Sequence, residues 1–434
     1  MLRSFRFSNH RSFRDEAELL LLPAYDKERA AVPVAAIYGA NAAGKSNVLD
    51  ALRFLRTAVR DSYRSWSPDA GVPRRPFRPA GRAEESAYVI EAVVGGLRHT
   101  YGFSVDDRQV RDEWLYTYPR NRKRVIFERA GRTVTLGSTL TGQRAKTEVL
   151  ADLTRPNALF LSLAAQVGLS EVQPLYQWFT ESLTFSTAPA TDRVLTDTVA
   201  DFLGGGAHNE VRLLDLLRAA DLGIVDLVLD ADLALEPIGS PGPDFDARVG
   251  DLLAALSPQD RSLLVRFGGS GEQRLRMVHG EAREHFDLDE ESAGTRAWLL
   301  ILPAAITALD SGSVLVVDEI DSSLHPELTA QLVRLFQSPD LNPAGAQLVF
   351  TTHDASLLGT SFGGDLLGRD QVWFVEKATD GASRLYPLTD FRPRKDENRE
   401  RRYLAGSYRA VPITSDLAIE RALLPNGAGD AAAS

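Results

Sequence analysis

Alternating apolar and polar positions dominate the first third of the chain and predict β-strands there. Residues 2–7 alternate in this way and predict a first strand, and residues 19–22 predict a second. Short alternating runs between residues 88 and 136 are separated by turn signals such as Gly95-Gly96. This part of the chain is therefore expected to form a β-meander.

The middle of the chain changes to helical spacing, which predicts a mostly helical region between about residues 147 and 256. Its clearest helices are expected at residues 159–167, 194–203, 211–219 and 249–256. A glycine run at 204–206 and a loop at 237–243 separate them, and strands are expected to follow at 263–267 and 275–278. No heptad repeat is sustained, so a long coiled coil is not expected.

A buried strand, a glycine loop and a helix follow one another between residues 32 and 59. The loop fits G-x-x-x-x-G-K-[ST], the phosphate-binding P-loop, in which backbone N–H groups and a helix N-terminus face phosphate oxygens. Lys45 is expected to reach the β- and γ-phosphates of ATP, and the Ser46 hydroxyl is expected to bind Mg²⁺. The residues expected to contact ATP are Gly39, Ala40, Asn41, Ala42, Ala43, Gly44, Lys45, Ser46 and Asn47.

Two further buried strands end in residues that suit the same chemistry. Residues 314–317 are four apolar β-formers followed by Asp318 and Glu319. Asp318 is expected to hold Mg²⁺, and Glu319 to act as the general base on the attacking water. Residues 347–352 predict another buried strand, and His353 follows it, where it can hydrogen-bond the γ-phosphate. Glu319, His353 and Lys45 are the expected catalytic residues.

A serine and a glycine precede the apolar helix predicted from Trp298 towards Leu309. Ser292 and Gly294 can supply a helix N-cap and a backbone pocket of phosphate size. The order of the motifs is P-loop, Ser-x-Gly, Asp-Glu and His, and the gaps between them fit single helices and strands.

In this order the residues resemble the ABC-type ATPase head that SMC, RecF and OLD (overcoming lysogenization defect) proteins share. Residues 39–47 look like the Walker A motif of these proteins, 314–319 like Walker B and 320–325 like the D-loop. Residues 291–295 resemble a degenerate ABC signature, and His353 resembles the switch histidine. Residues 9–13 are similar to the "NFRSF" opening of the group. The signature departs from Leu-Ser-Gly-Gly, and no glutamine is assigned to a Q-loop.

A closer resemblance is to the stand-alone AAA-labelled ATPases of bacterial anti-phage systems, of the RloA/AbiL kind, whose ending is similar to residues 403–412. The resemblance implies an α/β P-loop NTPase fold: an ABC-ATPase head with a β-rich lobe, a RecA-like α/β sheet and an inserted, mostly helical domain. The expected division is head (1–136), insertion (137–280), head (281–425) and disordered tail (426–434). It also implies a homodimer or higher oligomer, in which Ser292 and Gly294 complete the ATP site of the partner.

Composition narrows the functions that remain. The 434 residues carry a net charge of −10 and include no cysteine, which excludes disulfides, cysteine zinc sites and thiol catalysis. This suits a reducing cytoplasm, the expected location. The longest apolar run, 297–309, is too short to span a bilayer. The acidic charge argues against broad binding to DNA, although arginines within 74–82, 120–124 and 392–402 could form a track.

The favoured hypothesis is an ATP-binding and hydrolysing switch that controls a nuclease or toxin effector, encoded by a neighbouring gene, in anti-phage defence. The alternative is a RecF/SMC-like DNA-binding ATPase of repair or recombination. A nuclease within the chain is disfavoured, because no Asp-x-Asp follows His353. A small-molecule kinase is disfavoured, because Glu319 directly after Asp318 suits water activation.

Overall fold

The computed structural model describes residues 1–25, 29–80, 84–138, 144–187, 191–231, 273–392 and 397–411. The strands are β1 (Leu2–Ser8), β2 (Ala17–Leu20), β3 (Val34–Gly39), β4 (Ser86–Val94), β5 (Leu97–Val105), β6 (Val110–Thr117), β7 (Arg124–Ala130), β8 (Thr133–Leu136), β9 (Leu183–Thr187), β10 (Ile224–Ala231), β11 (Gln273–His279), β12 (Glu284–Asp287), β13 (Val314–Asp318), β14 (Gln347–Thr351), β15 (Val372–Lys377) and β16 (Ser383–Pro387). The helices are α1 (Lys45–Asp61), α2 (Arg144–Leu153), α3 (Phe160–Gln166), α4 (Gln173–Glu181), α5 (Asp192–Leu203), α6 (Ala207–Ala219), α7 (Ala293–Ser311), α8 (Pro326–Gln337) and α9 (Arg399–Leu404).

A six-stranded sheet of order β16-β15-β3-β14-β13-β9 forms the centre of the molecule. All its pairings are parallel except the one between β15 and β16. Strands β3 and β14 are buried along their whole length, which explains their almost continuous apolar sequences. The carboxyl ends of parallel strands share one edge of a sheet, so this edge receives the residues that follow β3, β13 and β14.

A seven-stranded antiparallel sheet of order β2-β1-β4-β5-β6-β7-β8 covers one side of the centre. The predicted first strand pair and meander are confirmed in it. Gly95 and Gly96, at φ +56° and +75°, make the tight turn between β4 and β5, because a two-residue hairpin turn of this type needs positive φ at both positions.

Alternate residues of the central strands belong to two different hydrophobic cores, one on each face of the sheet. Val314 and Val316 face the core that contains α1 and the seven-stranded sheet, whereas Leu315 and Val317 face the core that contains α7 and α8. This period of two is what a strand buried on both faces requires. The aromatic rings of the first strand pair belong to the first core.

Helices make up most of the described part of the range 137–280, as predicted, but this range also contributes to the head. Strand β9 pairs in parallel with β13 at the edge of the central sheet, and α3 and α4 pack in the same core as α1. Strands β10, β11 and β12 form a separate three-stranded sheet. The division into domains stays a prediction.

The predicted α/β architecture, with a β-rich lobe beside a mostly parallel sheet that carries the glycine loop, is confirmed. The strand predicted at 263–267, the helix at 249–256, the loop at 237–243 and the tail at 426–434 lie outside the described residues. Among the helices that the structure describes, none has the length and apolar character needed to cross a membrane.

Candidate functional site

The loop between β3 and α1 is closely packed at both of its motif glycines. A Cβ atom at Gly39 would lie 2.6 Å from the Val375 carbonyl oxygen. A Cβ atom at Gly44 would lie 2.6 Å from Ser383 Oγ, and the backbone there has φ +114°. Only glycine fits these two positions without displacing a neighbour, so the glycines of the motif are required by the fold around the loop.

Two serines outside the motif hold the loop from the side. The Asn47 amide donates a hydrogen bond to Ser12 Oγ at 2.7 Å. Ser383 Oγ lies 2.7 Å from Ser12 Oγ and 2.5 Å from the carbonyl oxygen of Ala43, inside the loop. Ser12, in the turn between β1 and β2, and Ser383, at the start of β16, therefore support the P-loop. We did not predict this role for either serine.

Lys45 is buried beneath the loop, with 5% of its surface exposed. Its ammonium group donates to the Gly39 carbonyl oxygen at 2.9 Å and to His353 Nε2 at 2.9 Å. Burial lowers the pKa of Lys45, and the nearby carboxylates of Glu319 and Asp321 oppose this shift. The positive charge of the lysine thus faces both the loop and His353.

The surroundings of His353 favour the neutral form of its imidazole. Burial lowers the pKa of His353, and the positive charge of Lys45 lowers it further. Because an ammonium group can only donate, the ring nitrogen that contacts Lys45 accepts. The backbone N–H of His353 donates to Asp321 Oδ2 at 3.0 Å, which ties the histidine to the D-loop.

Asp318 is held by two hydroxyl groups. Ser46 Oγ donates to Asp318 Oδ1 at 3.0 Å, and Thr351 Oγ1 donates to the same oxygen at 2.6 Å. Thr351 Oγ1 also accepts from the Glu319 backbone N–H at 2.7 Å. Glu319 has φ +49°, a conformation uncommon for a glutamate, and this backbone hydrogen bond helps to fix it. Thr351 is a site residue that we did not predict.

The predicted residues from three distant parts of the chain meet at one cavity of about 420 Å³. The side chain of Asp318 reaches this group through Ser46. The cavity lies at the carboxyl edge of the central sheet, where open α/β sheets bind their ligands. Its lining residues are Asn41, Ala42, Gly44, Lys45, Ser46, Asn47, Glu319 and His353.

The oxygen donors at this edge fit magnesium. Ser46 and Asp318 place a hydroxyl and a carboxylate oxygen 3.0 Å apart. Mg²⁺ commonly takes one or two protein ligands and fills its other positions with phosphate oxygens and water. No cluster of three or more histidine or acidic side chains with metal-binding geometry occurs within the described part of the chain, so an all-protein metal cage is not what these residues offer.

Ser292 and Gly294 lie apart from this cavity, since neither lines it. Ser292 is exposed and caps α7, its Oγ accepting from the Thr295 backbone N–H at 3.0 Å. A Cβ atom at Gly294 would lie 3.0 Å from the Ser323 carbonyl oxygen, so this turn packs against the D-loop. Ser292 is therefore exposed at the surface, whereas Gly294 is partly buried against the D-loop.

A protein-family model described as "AAA domain, putative AbiEii toxin, Type IV TA system" matches residues 34–359. Among curated proteins, none matches the chain. Solved structures with a similar fold include an Smc head bound to the C-winged helix domain of ScpA, at 14% identity and TM-score 0.44, covering 89% of this chain and 96% of that one.

Two further similar structures are Smc heads from Pyrococcus species. An Smc head domain with an extended coiled coil, bound to the C-terminal domain of ScpA from Pyrococcus furiosus, has 13% identity and TM-score 0.37, with 90% and 97% of the two chains covered. An Smc head domain with a coiled coil and joint from Pyrococcus yayanosii has 13% identity and TM-score 0.39, with 94% and 99% covered.

Proposed function

Because the chain belongs to the AAA domain family described as "putative AbiEii toxin, Type IV TA system", we propose that it is an ATP-driven switch of the ABC type. The observation that carries this proposal is the meeting of Lys45, Glu319 and His353 at one cavity, with Asp318 bonded to Ser46 beside it. These are the groups that binding and hydrolysis of a magnesium-bound triphosphate require.

We assign the binding of ATP to the P-loop and to Lys45. Backbone N–H groups of the loop and the N-terminus of α1 would receive the phosphate oxygens, and Lys45 would neutralise their charge. Ser46 and Asp318 would hold Mg²⁺, which would offset negative charge on the β- and γ-phosphates.

Hydrolysis is assigned to Glu319, whose exposed carboxylate lines the cavity. Glu319 would accept a proton from the attacking water as general base. The Thr351 hydroxyl bonds to both the Glu319 backbone N–H and the Asp318 carboxylate, and so fixes their relative positions. His353, in contact with Lys45, would respond when the lysine turns to a γ-phosphate.

Self-association follows from the placement of Ser292 and Gly294. Both lie at the N-terminus of α7, and neither lines the cavity of its own chain. A helix N-terminus is a favourable site for phosphate. We propose that this face completes the ATP site of a second copy, giving a homodimer or a higher homo-oligomer.

The partner is proposed from the family description, which names a putative toxin of a type IV toxin–antitoxin system. We propose that ATP-dependent association controls a nuclease or toxin effector, encoded by a neighbouring gene, in cytoplasmic anti-phage defence. A pull-down of this neighbour with and without ATP tests the partner. Recovery of the neighbour that changes with ATP supports the proposal. Equal recovery with and without ATP contradicts it.

The nucleotide assignment is tested by Lys45→Ala. The variant removes the buried charge that faces the phosphates, so ATP binding should be abolished. Lys377→Ala, on an exposed position of β15, is the matched control and should bind ATP as the wild type does. Equilibrium binding of a fluorescent ATP analogue measures both, and unchanged affinity in Lys45→Ala would refute the P-loop assignment.

One surface favours the alternative function, a DNA-binding ATPase. An open groove of about 1050 Å³ at the end of the β6–β7 hairpin is lined by Arg120, Arg122, Lys123 and Arg124. Among the described residues of its lining, Glu128 is the only acid, and its carboxylate accepts a hydrogen bond from the Tyr116 hydroxyl. Salt-dependent duplex binding that Arg120→Glu/Arg122→Glu weakens would support this alternative, and duplex binding unaffected by the variant would exclude the groove.

A further inference from the structure

The turn that carries Ser292 is tied to a different sheet by its preceding residue. Glu291 has a side chain that is only 8% exposed, and its Oε1 lies 2.5 Å from Nε2 of His279. A carboxylate accepts hydrogen bonds, so Nε2 is the donor. His279 is the last residue of β11, whereas Glu291 lies just before α7.

The imidazole ring of His279 is itself held by the three-stranded sheet. It packs edge-on against Phe286 of β12, with ring centroids 5.0 Å apart. Strand β11 pairs with β10 along its full length and with β12 over its last four residues. The hydrogen bond therefore joins a ring anchored in a sheet to the turn that carries Ser292.

The opposite side of this turn packs on the D-loop. A Cβ atom at Gly294 would make a tight contact with the Ser323 carbonyl oxygen, 3.0 Å away. The same loop begins after Glu319 and includes Asp321, which holds the backbone of His353. The Ser292 turn thus contacts both His279 and the D-loop, through Glu291 and Gly294 respectively.

The hydrogen bond between His279 and Glu291 also controls where the negative charge of Glu291 lies. A carboxylate next to a phosphate-binding serine would repel a triphosphate if it were free to approach it. The hydrogen bond to His279 keeps the Glu291 carboxylate buried, while Ser292 remains exposed. An unheld turn would also lose conformational freedom on binding, which costs free energy.

We infer that His279 is a positioning residue for the face that meets a second copy: through Glu291 it orients Ser292 and withdraws a negative charge from the partner's ATP. The inference rests on the proposed function, in which Ser292 acts across the subunit boundary. It assigns His279 no contact with the nucleotide of its own chain.

The test measures ATP-driven self-association in a Glu319→Gln background, which blocks hydrolysis. Sedimentation velocity with Mg-ATP compares the parent with His279→Ala, His279→Gln and His285→Ala. His285 is an exposed histidine of β12 and serves as the control. His279→Ala should raise the protein concentration needed for association by about tenfold or more, the range of a hydrogen bond to a charged group.

The companion variants separate positioning from a merely structural role. His279→Gln retains a side-chain N–H donor and should associate nearly as the parent does, as should His285→Ala. The double variant His279→Ala/Glu291→Gln removes the released charge and should recover part of the lost association. Each variant should bind ATP with the parent's affinity at protein concentrations where it is monomeric.

The outcomes discriminate between this inference and the function it rests on. If Ser292→Arg blocks association and His279→Ala does not weaken it, the inference is overturned and the proposed function stands. If His279→Ala lowers monomer affinity for ATP or fails to fold, and the double variant recovers nothing, the role is structural and the inference is again overturned. A Glu319→Gln parent that never associates with ATP present overturns the proposed function itself.

Discussion

Thr351 shows how much a single hydroxyl group can organise. It donates to the Asp318 carboxylate and accepts from the Glu319 backbone, while its own side chain is fully buried. The residue proposed to hold Mg²⁺ and the residue proposed to activate water are therefore aligned by one group on the neighbouring strand β14.

We predict that Thr351→Val slows ATP hydrolysis by about tenfold or more, because loss of the hydroxyl leaves the Glu319 N–H without its partner, at a cost of about 1–3 kcal/mol. Binding of ATP to the P-loop should change less than the turnover number. Thr351→Ser keeps the hydroxyl and should retain most of the activity. Equal losses in the serine and valine variants, in steady-state phosphate release, would contradict this role.

A second residue-scale prediction concerns pH. His10 is fully buried between the Tyr88 hydroxyl and the Asp50 carboxylate. Burial lowers the pKa of His10 in the folded state, although Asp50 opposes the shift. The unfolded chain then takes up the proton first, so this contribution to stability is complete above the unfolded pKa of about 6.5 and is lost as pH falls through the folded pKa.

The midpoint of thermal unfolding should therefore fall as pH is lowered from 7 to 5. His10→Gln carries no titrating ring and should lose part of this dependence. The remainder should persist, because burial also lowers the pKa of His99. Identical pH profiles for the wild type and His10→Gln would show that His10 does not contribute.

The sequence predicts individual residues only where their chemistry is local. Lys45 and Ser46 follow from an eight-residue motif, and Asp318 and Glu319 from the strand that precedes them. Thr351, Ser12 and Ser383 could not be assigned, because a hydroxyl group shows its role only through its partners. Those partners lie on strands or turns that are distant along the chain.

At the scale of elements, helix α3 is fastened to the seven-stranded sheet by a buried carboxylate. Glu113 on β6 accepts from the backbone N–H groups of Phe160 and Leu161 at the start of α3, at 2.6 and 2.9 Å. Arg129 Nη1 lies 3.5 Å from the same carboxylate. The sheet lobe and the helices against it are therefore one packed unit.

We predict that Glu113→Ala lowers the free energy of unfolding by about 3–5 kcal/mol, because it strips a buried arginine of its carboxylate and leaves two helix N–H groups unpaired. Glu128→Ala, at an exposed position of β7, is the control and should cost about 1 kcal/mol or less. Urea unfolding of both variants measures the difference. A cost for Glu113→Ala no larger than the control's would contradict the anchoring role.

Strands were predictable where their burial produces a simple pattern of apolar residues in the sequence. Strands β13 and β14 are short apolar runs, and the meander shows alternation with turn residues. The place of β9 in the central sheet was not predictable, because its pairing with β13 joins residues about 130 positions apart in sequence. Periodicity predicts an element, whereas its neighbour depends on the fold.

At the scale of the whole molecule, the cavity beside the P-loop lies at one place and the exposed Ser292 turn at another. Motif order and family resemblance predict both parts, and the structure separates them, since Ser292 does not line the cavity. In the proposed homodimer, a second copy brings its turn to the first copy's cavity and completes the ATP site. Association and hydrolysis should therefore rise together with ATP.

The most direct measurement is the solution mass of Glu319→Gln with and without Mg-ATP, by light scattering behind size exclusion. The account predicts the monomer mass of 47.5 kDa without nucleotide and at least twice that mass with it. Lys45→Ala/Glu319→Gln should remain monomeric under both conditions. A Glu319→Gln protein that binds ATP and still elutes at 47.5 kDa would contradict the account.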